Sequence, residues 1–184
     1  CKTGSLHPLV SVSDAFLGKK NFKGAYFCVE GDAEAITAAK EIIEKLEGNF
    51  FSVKTEYKTL YHASAVTACG HLVALIDTAI EMLAGCGLEK SEAQKVLLPL
   101  IESTVENLKM QTPAEALTGT FARADVETFY RHLKTLQENV SGEVLETYLQ
   151  LGLRSAHLAQ EQNASRENFE VMRREILLAK KNFK

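Results

Sequence analysis

Thr118, Arg123 and Asp125 fall close together in the segment Ala116-Leu117-Thr118-Gly119-Thr120-Phe121-Ala122-Arg123-Ala124-Asp125, which joins two long helical patterns. A hydroxyl, a guanidinium and a carboxylate around a glycine are suited to an anionic substrate. Arg offers a planar fork of donors, and backbone N–H groups near a helix start favour negative charge. Loops on a rigid scaffold are where such groups gather, because their backbone is free to face a ligand. The same residues also have a local use: Asp125 stands where an N-cap belongs, and Arg123 could simply pair with it.

Acid–base chemistry would come from histidine. His62, near the start of a long helix, carries an imidazole, the side chain best suited to proton transfer, and could hand a proton to a substrate carbonyl as hydride arrives; otherwise it makes an ordinary helix hydrogen bond. His7 is held extended by Pro8. At a strand's C-terminal end it would lie on the edge where α/β sheets take ligands, and its plain alternative is a turn histidine. Asn107, one turn before the Thr118 loop, either contacts substrate or caps a helix. His71, His132 and His157 match no metal spacing, and neither His-Glu-x-x-His nor a Cys/His cluster occurs, so no metal is expected. Tyr57 and Lys58 are adjacent rather than four apart, unlike the tyrosine–lysine pair of short-chain dehydrogenases.

The elements that must position these groups are of two kinds. Gly24 to Val29 is a short apolar run bounded by glycine and Glu30-Gly31-Asp32, the pattern of a buried strand. Asp32 is then expected to cap a helix from Ala33 to Glu47 that Gly48 stops, and Asn49 to Lys54 reads as a second strand. Strand, helix, strand is one repeat of a parallel sheet, which cannot cover both faces of a sheet by itself. With a start on Cys1-Lys2-Thr3-Gly4-Ser5, the chain reads as the tail of a larger α/β domain. No Gly-x-Gly-x-x-Gly loop occurs in it.

From residue 56 the pattern is helical. Glu56 to Gly85 fits one helix of roughly 45 Å, with Tyr61, Ala65, Ala68, Leu72, Leu75, Ala79 and Leu83 inward and small residues almost all round between Ala63 and Gly70. Such a surface implies a central helix surrounded by partners. Ser91 with Gln94 is expected to open the next helix, which Pro99 should kink or break. Thr112-Pro113 starts a short turn, Asp125 a helix to Asn139, Ser141 one to Gln160, and Ser165 one to Lys181. The fold expected is thus an α/β remnant over 1–55 followed by an all-α part over 56–184 with about five helices.

Bulk properties narrow the function classes. The 184 residues are 46% hydrophobic, enough for a real core, and a net charge of -3 gives no broad attraction for nucleic acid or anionic membrane. Cys1, Cys28, Cys69 and Cys86 have no paired spacing, which points to a reducing, cytoplasmic setting. The apolar run Ala63 to Ile80 is interrupted by Ser64, Thr67, His71 and Asp77, unlike a membrane span. The basic end, with Arg173, Arg174, Lys180, Lys181 and Lys184, complements a helix dipole.

His7-Pro8-Leu9, Phe27 to Asp32, Tyr61-His62-Ala63-Ser64-Ala65, Ala116-Leu117-Thr118-Gly119 with Arg123 and Asp125, and His132-Leu133 come in that order. Together they resemble the Rossmann-like NADP-dependent oxidoreductases with a C-terminal helical domain. They are similar to pyrroline-5-carboxylate reductase and, more distantly, to the 6-phosphogluconate dehydrogenase-like group. The resemblance covers residues 4 to about 160. It implies the C-terminal end of a Rossmann-like NADP-binding sheet, with His7 and Pro8 beside the cofactor. Behind it would come a helical domain that dimerises and closes over the nicotinamide. His62 would act as proton donor and Asn107, Thr118, Arg123 and Asp125 as substrate contacts. The family usually has proline at Thr120, glycine at Ala124 and asparagine at Gly70. The resemblance thus implies part of an oxidoreductase acting on a carbonyl or imine of a small metabolite, inactive as this chain alone. The rival is a non-catalytic helical dimerisation module.

Overall fold

The computed structural model describes residues 1–162 and 165–181, so Lys184 lies outside the described residues. The chain forms two compact units, Cys1–Ala74 and Leu75–Lys184.

In the first unit β2 (Tyr26–Gly31), α1 (Ala33–Lys45) and β3 (Asn49–Phe51) form the expected parallel crossover. Before it comes β1 (Gly4–Pro8), which pairs antiparallel with β2 and places His7 opposite Cys28. His7 is thus one residue from the C-terminal end of its own strand, level through Cys28 with Phe51, the last residue of β3, and away from the carboxyl end of β2. Phe27 and Val29 of β2 are buried against Ala39 and Ile43 of α1, with Leu6, Phe22, Ile36 and Leu46 around them.

Two details of α1 also differ from expectation. The Asp32 side chain makes no cap bond; its Oδ2 accepts from the Thr3 backbone N–H at 2.9 Å, which ties β1 to the β2–α1 turn. The left-handed residue that closes the helix is Glu47, at φ 56°, not Gly48. Gly48 has a steric role, since a Cβ there would lie 2.6 Å from the Phe27 ring.

The long helix is not continuous. A 3-10 turn (Thr55–Tyr57) leads into α2 (Lys58–Ala68), and α3 (Gly70–Ala84) begins after Cys69, whose φ of -116° and ψ of -73° depart from regular helix values. Among the described residues, none of α2 or α3 is buried, where the sequence predicts an enclosed helix. By length and composition Thr55–Ala84 could cross a membrane, with a mean hydropathy of 1.5 in its most apolar window.

In the second unit, α4 (Lys90–Met110) is capped two residues earlier than expected. Glu89 and Glu92 form its capping box, and the helix runs through Pro99 without a break. Thr112 caps α5 (Pro113–Ala116) as expected, and the loop from Thr118 to Asp125 contains a further turn of helix, α6 (Gly119–Ala122). Asp125, Ser141 and Ser165 stand at the starts of α7 (Val126–Asn139), α8 (Gly142–Gln160) and α9 (Arg166–Lys181). Their apolar stripes meet in one core, where Phe129, Leu145, Leu149, Phe169, Met172 and Ile176 are almost fully enclosed. At Gly152 of α8 a Cβ would lie 2.9 Å from the Phe121 ring, so only glycine lets α6 settle there undisturbed.

Candidate functional site

Strand alternation decides which residues of the first unit share a surface. Side chains two apart face the same way, and paired residues on neighbouring strands lie side by side. Ser5 and His7 of β1, Cys28 and Glu30 of β2, and Phe51 of β3 therefore form one face, opposite Phe27 and Val29. The first turn of α2 meets that face through Lys58, Tyr61 and His62, spaced i, i+3 and i+4 as one side of a helix requires.

Two clusters result. The Tyr61 hydroxyl lies 2.6 Å from His7 Nδ1, and the Tyr61 ring meets Phe51 edge-on at 5.7 Å between centroids. The His62 ring is 6.3 Å from that of His7, so the structure brings the expected proton donor beside the strand histidine. Burial, with the nearby Cys28, raises the pKa of Tyr61 above the usual phenol value. The phenol thus keeps its proton, and the direction of its bond with Nδ1 follows the His7 tautomer. In the second cluster Lys58 Nζ is ion-paired with Glu30 Oε1 and donates to Ser5 Oγ at 3.2 Å, while Ser5 Oγ donates to the same carboxylate. The Lys58 bond, and less strongly the Ser5 bond, lower the Glu30 pKa against the opposing effect of burial. Its other oxygen, Oε2, is shielded and has no hydrogen-bond partner among the described residues.

Ser5, Glu30, Lys58 and Tyr61 join the site without having been expected there. The signal in the sequence is the Lys58-x-x-Tyr61-His62 spacing, which puts three polar groups on one helix face but does not match the tyrosine–lysine spacing of four. Pro8 closes β1 beside Phe27.

The remaining candidates lie in the second unit. Asp125 caps α7: its Oδ1 accepts from the Thr128 N–H at 3.0 Å and its Oδ2 from the Thr128 hydroxyl at 2.8 Å. These bonds lower its pKa, with only minor help from Arg123 and Arg131. Both carboxylate oxygens are therefore used by the cap. Arg123 ends α6, is exposed and has no ion pair among the described residues, so pairing with Asp125 does not account for it. Thr118 precedes α6 without a side-chain cap bond. Asn107 sits on the exposed last turns of α4, and the helix ends three residues later. Ala124 is buried at φ 48°, a left-handed conformation that suits glycine, and its carbonyl accepts from Asn168 Nδ2 at 3.1 Å. A side chain at Gly70 would meet only Val66, at 4.0 Å. No three His, Cys, Asp or Glu side chains form a metal-holding group among the described residues.

No curated protein matches the sequence. Among solved structures, protein TM1727 from Thermotoga maritima aligns at a TM-score of 0.74 and 24% identity over 87% of this chain and 62% of its own. The putative NADP oxidoreductase BF3122 from Bacteroides fragilis aligns at 0.66 and 23% over 85% and 57%. A Plasmodium falciparum pyrroline carboxylate reductase, solved with NADP bound, aligns at 0.49 and 11% over 86% and 62%. The first two share this chain's fold, and the chain spans less than two thirds of their length. Residues 25–155, which hold β2, α1 and the helices through most of α8, match the model of a domain of unknown function, and the chain belongs to that family, DUF2520.

Proposed function

We propose that this chain is the C-terminal part of an NADP-dependent oxidoreductase that reduces a carbonyl or imine of a small metabolite. The observation that carries the reading is the Tyr61–His7–His62 cluster. A protonated phenol, hydrogen-bonded to a strand histidine and next to a helix histidine, is a proton source with a built-in route for replenishment. Arg123, exposed and without an ion pair among the described residues, is the group to orient an anionic substrate.

The cofactor fits this chain at one end only. The β2–α1 turn carries Glu30, Gly31 and Asp32, whose carboxylates oppose a pyrophosphate, and no glycine-rich cradle is present. His7 and Pro8, on the sheet, would adjoin the nicotinamide instead. Bound NADPH would supply hydride. Tyr61 would deliver its proton to the oxygen or nitrogen of the group being reduced while its oxygen accepts from the Nδ1–H tautomer of His7, whose proton would replace the one lost, with His62 as alternative donor. Such a protein would be cytoplasmic.

The test is an NADPH titration, read by nicotinamide fluorescence, on the protein encoded by the full reading frame that contains this chain. Saturable binding supports the reading, and none at millimolar cofactor overturns it. The rival, a non-catalytic helical module, is favoured by one observation: both oxygens of Asp125 are engaged in its cap. An active protein whose turnover is unchanged by Arg123→Ala would remove Arg123 from the substrate site while leaving cofactor binding intact.

A further inference from the structure

Little apolar burial holds the first turn of α2 in place. Tyr57, at its N-cap position, makes no side-chain cap bond, and none of the described residues of α2 is buried. What ties the turn to the sheet is two rungs of side chains. In one, Lys58 meets Ser5 of β1 and Glu30 of β2; in the other, one turn along, Tyr61 meets His7 of β1. The spacings agree. Ser5 and His7 are two apart on a strand, about 6.6 Å, and Lys58 and Tyr61 are three apart on a helix, about 4.5 Å along its axis. Side chains as long as Lys and Tyr make up that difference, so both rungs close together.

The rungs are unequal. The second is a single hydrogen bond between an exposed His7 and a half-buried Tyr61, and the ordering of two side chains opposes its modest gain. The first joins three elements. Lys58 Nζ is ion-paired with Glu30 Oε1 and donates to Ser5 Oγ at 3.2 Å, and Ser5 Oγ donates to the same carboxylate oxygen at 3.2 Å across the register pair Ser5–Glu30. The Glu30 side chain is 17% exposed, so solvent screens this pair less than one at the open surface.

Stability alone does not explain the arrangement. Glu30 Oε2 is shielded without a hydrogen-bond partner among the described residues, a cost that an apolar side chain in its place would avoid. A buried ion pair is weak evidence for stability, and its best use is to hold one geometry against others. We propose that Glu30 is a positioning residue: through Lys58 it locks the first turn of α2 to β1 and β2, and so sets the Tyr61 hydroxyl on His7 Nδ1. The value of this placement for proton delivery rests on the reading of Tyr61 as donor; the placement itself does not.

The test is a long-range 15N spectrum of the histidine rings in the whole chain, recorded at about pH 8, where free imidazoles are neutral. His7→Gln assigns the His7 signals, and Tyr61→Phe gives the Nδ1 position with the bond removed. Glu30→Gln, and separately Lys58→Met, should each carry Nδ1 most of the way to the Tyr61→Phe position. Lys58→Arg, which keeps the charge and still reaches Glu30, should hold Nδ1 near its parent position. The Lys58 side chain is 47% exposed and lies outside the core of Phe27, Val29 and Ile43, so Lys58→Met decides the matter if Glu30→Gln does not fold. Backbone amide shifts of β2 and α1 check the fold of each variant. A parent-like Nδ1 signal in Lys58→Met overturns the proposal even where the melting temperature falls, because the cluster is then structural only. Equal displacement by Lys58→Met and Lys58→Arg also overturns it, since charge is then not the cause. NADPH takes no part in these spectra. Failure of the full protein to bind NADPH would remove the oxidoreductase reading and leave the placement standing, and an undisturbed His7 signal would do the reverse.

Discussion

Tyr61 concentrates the chemistry of the sheet face into one hydroxyl. Tyr61→Phe should remove one hydrogen bond, costing about 1 kcal/mol of stability, and shift the His7 Nδ1 resonance in a long-range 15N spectrum. An unchanged Nδ1 signal would show that the 2.6 Å contact is not made in solution. Asp125 makes a pH prediction. Its folded pKa lies below the ordinary aspartate value, chiefly through Thr128. The folded state therefore gains stability above about pH 4 and loses it as pH falls from there through the depressed folded value. Asp125→Asn should flatten the melting temperature between pH 5 and pH 3, as followed by circular dichroism, and an equally steep acid loss would assign the effect elsewhere. Ala124 stands at φ 48° where the resembling family has glycine. Relief of left-handed strain is worth about 1–2 kcal/mol and loss of one buried methyl about 0.8 kcal/mol. Ala124→Gly should then raise the melting temperature by about 1–4 °C, and a fall would mean that the methyl outweighs the strain.

At the scale of elements, Gly152 is the point where the core reaches the loop that holds α6. A Cβ there would already crowd Phe121 of α6 and lie 3.3 Å from Ile176 of α9. Gly152→Val should cost about 1–3 kcal/mol and displace α6, which bears Arg123 at its end. Thermal melting measures the first effect, and a normal stability would show that Phe121 can turn aside. Sequence pattern alone located most of these elements. The caps at Asp125, Ser141 and Thr112 were legible because side-chain chemistry at a helix start is local. The break at Cys69 was not, since no proline or mid-helix polar run announces it. Nor was the Glu89 start of α4, where Ser91 offered a conventional cap that the Glu89–Glu92 box displaced. The direction of β1 was equally hidden, because pairing partners are set by tertiary contacts. For that reason the Ser5–Glu30–Lys58 cluster, which needs β1 and β2 side by side, could not be foreseen from spacing within one element.

Across the whole molecule, stability is distributed unevenly. Phe27, Val29 and Ile43 are the largest fully enclosed side chains of the first unit, against Phe129, Leu145, Leu149, Phe169, Met172 and Ile176 in the second. At about 1.5–3 kcal/mol for each buried side chain, the second core has roughly twice the apolar drive of the first. Amides of α7, α8 and α9 should therefore exchange with deuterium most slowly, and those of α1 and β2 sooner. The helix α4 belongs to neither core. A lone helix of its length is marginal in water, so its protection must come from whatever covers Leu98, Val105 and Leu108. If a second copy does so, exchange in α4 slows as protein concentration rises, by the mass action that couples folding to association. Exchange in α1 carries no such dependence. Hydrogen exchange at two concentrations a hundredfold apart, read by mass spectrometry on peptides spanning 90–110 and 33–45, makes the comparison. A concentration effect larger in α4 than in α1 is expected, and equal rates in α4 at both concentrations would mean that this helix gains nothing from a second chain.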